Sequence, residues 1–217
     1  AAIGGGDGAT KVGPERLMNG AKQLPRNTLA FWGRGAKGFD VFFWDGRVDF
    51  SSPKKLTQFG SKTPSNDALV TAVHLPVVEV REMLDEDDFV RKHKVESVEK
   101  SKAVYQAIAN NLKSVESKAS QDLANRLNKK PQNLEYVDYA RAIASFIRSE
   151  FRLKETKLER VMRGSESFSD AELKGARIFY GKGACVTCHS GPHFSDFSFY
   201  TVPFPQLGFG KNGFGVD

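Results

Sequence analysis

Cys185 and Cys188 are the chain's two cysteines, and His189 follows the second directly. The run Cys185-Val186-Thr187-Cys188-His189 reads C-x-x-C-H, the attachment sequence for a c-type haem. Thioether bonds to the two sulfurs would hold the porphyrin, and the imidazole of His189 would lie beneath the iron as an axial ligand. Three other chemistries compete for these residues. A disulfide across two intervening residues suits a strained, redox-active bridge better than a structural one. A thioredoxin-like C-x-x-C needs a βαβ pattern around it, and none is present. Zinc is the sharper rival, because His189 and His193 have H-x-x-x-H spacing beside the cysteines. Yet no residue separates Cys188 from His189, whereas tetrahedral zinc sites place a longer loop between ligand pairs. The expectation is one covalent haem c on this chain.

Something must carry that turn. Ser169-Asp170-Ala171-Glu172 is a capping box, S-x-x-E, opening a helix from Asp170 to Tyr180. Leu173, Ala176 and Tyr180 recur at helical spacing, and Gly181 and Gly183 end the helix just before the cysteines. A short glycine loop allows the close backbone approach that a flat macrocycle needs. Phenylalanines follow at 194, 197, 199, 204, 209 and 214. They suit an apolar wall around a haem as well as an ordinary core.

Further upstream, periodicity predicts helices over Glu99–Val115, Asp122–Leu127 and Tyr136–Phe151, with Pro131 as a break. A short helix is expected over Asp67–Val73, capped by Asn66. Residues 1 to 66 are irregular and rich in glycine and proline, with the aromatic clusters Phe31-Trp32 and Phe42-Phe43-Trp44. They read as loops packed by large side chains, with Ser51–Asn66 as an exposed insertion. No alternation is long enough for a sizeable sheet. The fold class is mainly α with long loops.

A chain of 217 residues suits one or two domains. Apolar residues make up 40% of it, with no run long enough to span a membrane. The 32 basic and 26 acidic residues leave a net charge of +6, dispersed along the chain. No basic stripe interleaved with aromatics argues for nucleic acid. Haem c is attached on the oxidising side of a membrane, so an exported, periplasmic protein is expected.

Several stretches, in order, resemble the bacterial di-haem cytochrome c peroxidases and their MauG-like relatives. They are Leu24-Pro25-Arg26-Asn27-Thr28, Phe43-Trp44-Asp45-Gly46-Arg47, Pro76 with Glu82-Met83, Tyr139 to Phe146, and Gly175 through Cys185, Cys188, His189 and Phe194-Ser195-Asp196. The F-W-D-G-R run is a quite specific signature. The resemblance implies two cytochrome c-like haem domains. Residues 1–134 would be the remainder of the N-terminal, peroxidatic one, and residues 135–217 the start of the C-terminal one. It also implies a second haem and a C-terminal ligand segment, both outside this sequence.

By the same resemblance, Cys185, Cys188 and His189 belong to the haem that takes in electrons. Trp44 matches a tryptophan lying between the two haems, against the more usual fate of a core residue. Glu82 matches the carboxylate that moves a proton during peroxide cleavage. It also lies in an acidic run, Glu79 to Asp88, of the kind that usually faces solvent. Arg47 would pair with a haem propionate or anchor its own loop through Asp45. The implied partners are hydrogen peroxide and a small electron donor, a cytochrome c or a cupredoxin, with the chain in a homodimer or a larger complex. Family members commonly carry a glutamine four residues before the proline, where this chain has Ala72. That departure favours a non-catalytic electron-transfer subunit, and oxidation of a partner protein is the MauG-like option. Met18 is a candidate ligand for the first haem, His193 a candidate neighbour of the second, and His74 and His93 read as structural or exposed.

Overall fold

The computed structural model describes residues 29–57, 62–79, 98–114 and 118–200, with the strand residues 2–3, 23–24, 209–210 and 213–214. The fold is mainly helical with little strand. Two compact units divide it: residues 1–30, 40–146 and 203–217 form the first, residues 31–39 and 147–202 the second. The division falls inside a helix, whereas the boundary expected at 134 and 135 lies just before that helix begins.

Among the described residues, the first unit holds four two-residue antiparallel pairings in three small sheets. β1 (Ala2–Ile3) pairs with β2 (Gln23–Leu24). A small sheet follows in the order β3 (Val41–Phe42), β4 (Val48–Asp49), β5 (Leu56–Thr57). β6 (Phe209–Gly210) pairs with β7 (Gly213–Phe214). The β3–β4–β5 sheet corrects two expectations. Residues 41–57 are not loop throughout, and the stretch expected as an exposed insertion contributes a strand whose Thr57 is buried.

Helix α1 (Ala68–His74) packs on β3 and β4. Its cap is Asp67 and not Asn66: the Asp67 carboxylate accepts from the amides of Leu69 (3.0 Å) and Val70 (3.2 Å). The Asn66 carbonyl is instead taken by Lys55 Nζ at 3.0 Å. Helices α2 (Val98–Ser114), α3 (Lys118–Arg126) and α4 (Tyr136–Glu150) follow, close to their predicted spans. Phe42, Val48, Leu69, Val70, Leu75, Val104, Leu134, Ala140 and Ala144 form the core of this unit. His74 lies in it, its Nδ1 donating to Val70 O at 2.6 Å. The edge of its ring meets Tyr105 (5.1 Å) and Tyr136 (5.0 Å), which stack on one another. Burial holds the imidazole below its usual value, and the charge of Arg141 adds to this. His74 is thus a structural, neutral residue.

Buried Asp138, on α4, accepts both contacts of Lys129 Nζ, at 2.8 and 2.9 Å, and the amide of Glu135 at 3.0 Å. A buried carboxylate requires such partners.

The second unit is built differently. Helix α5 (Lys157–Met162) and helix α6 (Asp170–Arg177) each begin with a complete capping box, Thr156 with Glu159 and Ser169 with Glu172. Lys157 bonds Glu172 at 2.7 Å, tying the two helices, and Arg160 bonds Glu166 of the loop between them at 2.6 Å. Phe31 and Trp32 set their ring edges against Phe151, and the amide of Gly33 donates to Phe151 O at 2.9 Å. Gly35 is required by close approach, because a Cβ there would lie 3.0 Å from Arg148 Cα. None of residues 151–200 is buried. Among the described residues, no helix is long and apolar enough to cross a membrane.

Candidate functional site: the cysteine and histidine turn

The path into C-x-x-C-H starts on α6. Past Arg177 the helix widens into a π turn, Ile178–Lys182, broken at Gly181 by non-helical backbone. The Gly183 amide closes that turn onto Ile178 O at 2.8 Å. A Cβ on Gly183 would lie 2.6 Å from the same carbonyl oxygen, so only glycine fits. Ala184 then adopts the left-handed conformation at φ 52° and starts a 3-10 turn, Cys185–Thr187. Both glycines end the helix as expected. The apolar stripe of Leu173 and Tyr180 does not pack inward, and both side chains are exposed.

The turn presents the two sulfurs and the imidazole together in sequence and by hydrogen bonding. Cys188 and His189 both donate their amides to Cys185 O, at 3.3 and 2.9 Å. Both cysteines are free thiols, Cys185 exposed and Cys188 half-buried, so no disulfide joins them. His189 Nδ1 lies 3.0 Å from Phe194 O. A carbonyl can only accept, so Nδ1 is the donor and Nε2 is the nitrogen left to ligate a metal. That second-sphere bond is the usual way a protein fixes the orientation of a metal-binding imidazole.

The loop after His189 is shaped to supply that carbonyl. Gly191 stands at φ 68°, Phe194 at 50° and Phe197 at 57°. Two non-glycine residues in the left-handed region store strain that their surroundings must hold. The Asp196 amide donates to Cys188 O at 3.1 Å, folding the loop back on the turn. The hydroxyl of Tyr200 donates to the Asp196 carboxylate, which sits below its ordinary range for that reason first.

The zinc arrangement does not form. His193 Nε2 is engaged with Lys37 O at 3.1 Å, and its ring lies against Phe39 and Phe197. Among the described residues, no three His, Cys, Asp or Glu side chains gather to hold a metal ion. A porphyrin asks for less from the protein: two thiols, one imidazole and an apolar surround. On the segments that enter and leave the turn, Ile178, Tyr180 and Phe194 are exposed apolar side chains. The donor set and the apolar surface fit a haem c.

The other predicted site residues lie in the first unit. Trp44 is 72% exposed, which rules out the core role. It occupies a tight turn, with Phe43 at φ 71° and Gly46 at φ 63°. Arg47 anchors this turn, as one of its two expected roles requires, gripping Asp45 through Nε at 3.0 Å and Nη2 at 2.8 Å. Its hydrogen bond holds the Asp45 carboxyl below the ordinary range. Arg47 also reaches Glu79 at 3.4 Å, a partner that the acidic run concealed. Ala72 is buried in α1. Glu82, Met18 and His93 lie outside the described residues.

Sequence reasoning missed the Phe194 carbonyl and the Lys37 carbonyl. The Gly191-Pro192 turn signal pointed to the first, since a reversal there returns the chain to His189. Nothing local pointed to the second. No family model, curated protein or solved structure matches the chain.

Proposed function

We propose that this chain is a haem c redox protein of the di-haem cytochrome c peroxidase type, exported to the periplasm. Cys185 and Cys188 would hold the group through thioethers, and His189 Nε2 would ligate its iron. When bound, that group supplies a one-electron iron couple. The observation that carries the reading is the His189 Nδ1 to Phe194 O hydrogen bond beside two free thiols. It sets the tautomer that iron ligation needs and raises the basicity of Nε2. In the complete protein, electrons from a small cytochrome or cupredoxin would pass through this site to a peroxide-reducing centre, with Glu82 as proton carrier and Trp44 on the route.

A second reading is a non-catalytic electron-transfer subunit, and buried Ala72, in place of the family's glutamine, favours it. The first test is a pyridine haemochrome spectrum and intact mass on the chain matured in a host with haem c attachment machinery. One haem per chain, lost together in Cys185→Ala and Cys188→Ala, is expected. Zinc without iron in the purified chain would overturn the proposal. Peroxide turnover by the intact assembly, lost in Glu82→Gln, separates the catalytic reading from the electron-transfer one.

A further inference from the structure

Residues 31–39 belong to the same compact unit as the C-x-x-C-H turn, although more than a hundred residues separate them in sequence. The His193 side chain joins them. His193 Nε2 bonds Lys37 O at 3.1 Å, and a Cβ on Gly38 would rest 3.9 Å from that nitrogen. The imidazole meets Phe39 edge-on at 5.6 Å and Phe197 at 5.8 Å, and these two rings meet each other at 4.9 Å. His193 directly precedes Phe194, whose strained φ of 50° aims its carbonyl at His189.

We infer that His193 is a positioning residue for the axial ligand, and that residues 37–39 are the strap it fastens. The strained loop would relax if free, and relaxation would carry the Phe194 carbonyl away from His189 Nδ1. The Lys37 bond and the two ring contacts pin the loop one residue before that carbonyl. A well-held Nδ1 bond makes the imidazole a stronger donor and favours the ferric state. Losing the pin therefore raises the reduction potential. This inference rests on the haem c reading and deepens it.

The test uses the full chain loaded with haem, comparing wild type, His193→Ala and His193→Gln by potentiometric titration and haem absorption spectrum. Glutamine keeps an amide donor for Lys37 O but not the aromatic ring. His193→Ala is expected to raise the midpoint by about 59 mV, a tenfold change for one electron, and His193→Gln to recover most of it. If His193→Ala fails to load while His193→Gln loads, the strap is supported equally. An unchanged potential and spectrum in both variants, or failure of both to load, overturns it. Absence of haem in the wild type would instead refute the haem reading itself, so the two failures are distinct.

Discussion

Two glycine-to-alanine substitutions in one helical segment should have opposite effects. At Gly183 an added Cβ would lie 2.6 Å from Ile178 O and 3.0 Å from Ile178 Cγ2. Ordinary carbon–oxygen contacts begin near ~3.3 Å, and the oxygen belongs to the backbone, so it cannot swing aside. Relief requires opening the π turn and losing the Gly183 N to Ile178 O bond of 2.8 Å. A lost hydrogen bond costs about 1 kcal/mol, and forced backbone strain about 1–3 kcal/mol more. At Gly175, inside α6, a Cβ meets nothing within 4 Å. Alanine there should stabilise the helix by about 0.5–1 kcal/mol. Gly183→Ala should therefore unfold residues 170–190 more readily by about 2–4 kcal/mol. Denaturant titration of the haem-loaded chain, with amide hydrogen exchange localising the change, measures both. Covalent haem yield should fall in Gly183→Ala alone. Stabilities within about 0.5 kcal/mol of wild type for both variants, with full loading, would show that the turn adapts and refute the reasoning.

Other perturbations read other parts of the fold. Ser169→Ala should cost about 1 kcal/mol by uncapping α6, measured by denaturant titration. The bond from Lys157 first, and then those from Ser169, pull Glu172 down to about 2. Its folded value is depressed, so its contribution is complete above the ordinary 4.5 and is lost as pH falls from there toward 2. An acid titration of helicity should show that loss, and Glu172→Gln should remove it. Lys129→Met should destabilise the first unit by about 2 kcal/mol, because Asp138 stays buried with its best cation gone; thermal unfolding tests this. His74 is held neutral by burial, so its unfolded form binds more protons below 6.5. Stability should fall as pH drops through that value toward the depressed folded one, and His74→Phe should flatten the slope in a pH series of unfolding curves.

What was legible in the sequence was local. Both partners of the Ser169–Glu172 box lie within one turn, so spacing alone revealed it, and the structure contains both of its bonds. The glycines before the cysteines were legible for the same reason. Asn66 and Asp67 are adjacent residues of equal capping tendency, and only the backbone decides between them: Asp67 takes the extended conformation and faces the open amides. The β3–β4–β5 sheet escaped because its strands are two residues long, too short for any alternation to register. For Trp44 the usual burial of tryptophan offered a core role as the alternative to a site role, and the Phe43–Gly46 turn turns the side chain outward. The Lys37–His193 tie spans 156 residues and involves a backbone carbonyl, which carries no residue signature at all.

The contrast between the two units bears on how the cysteine turn is held. The first unit orders itself around buried Phe42, Val48, Leu75 and Leu134, the ordinary source of stability in a domain. The second is ordered by capping boxes, an ion pair between α5 and α6, glycine turns and aromatic edges. Exposed ion pairs contribute at most about 1 kcal/mol each, and fixing one residue's backbone costs about 1–2 kcal/mol. Such contacts choose a conformation more effectively than they stabilise it. They are spent on geometry here: the two sulfurs on one turn, Nδ1 of His189 committed to Phe194, and the strained loop fastened to residue 37. On the proposed reading, exposed Ile178, Tyr180 and Phe194, beside that turn, would gain burial from the macrocycle. A zinc ion would satisfy the cysteines but leave those side chains in water, which is the energetic reason to prefer a haem over a small ion at this turn.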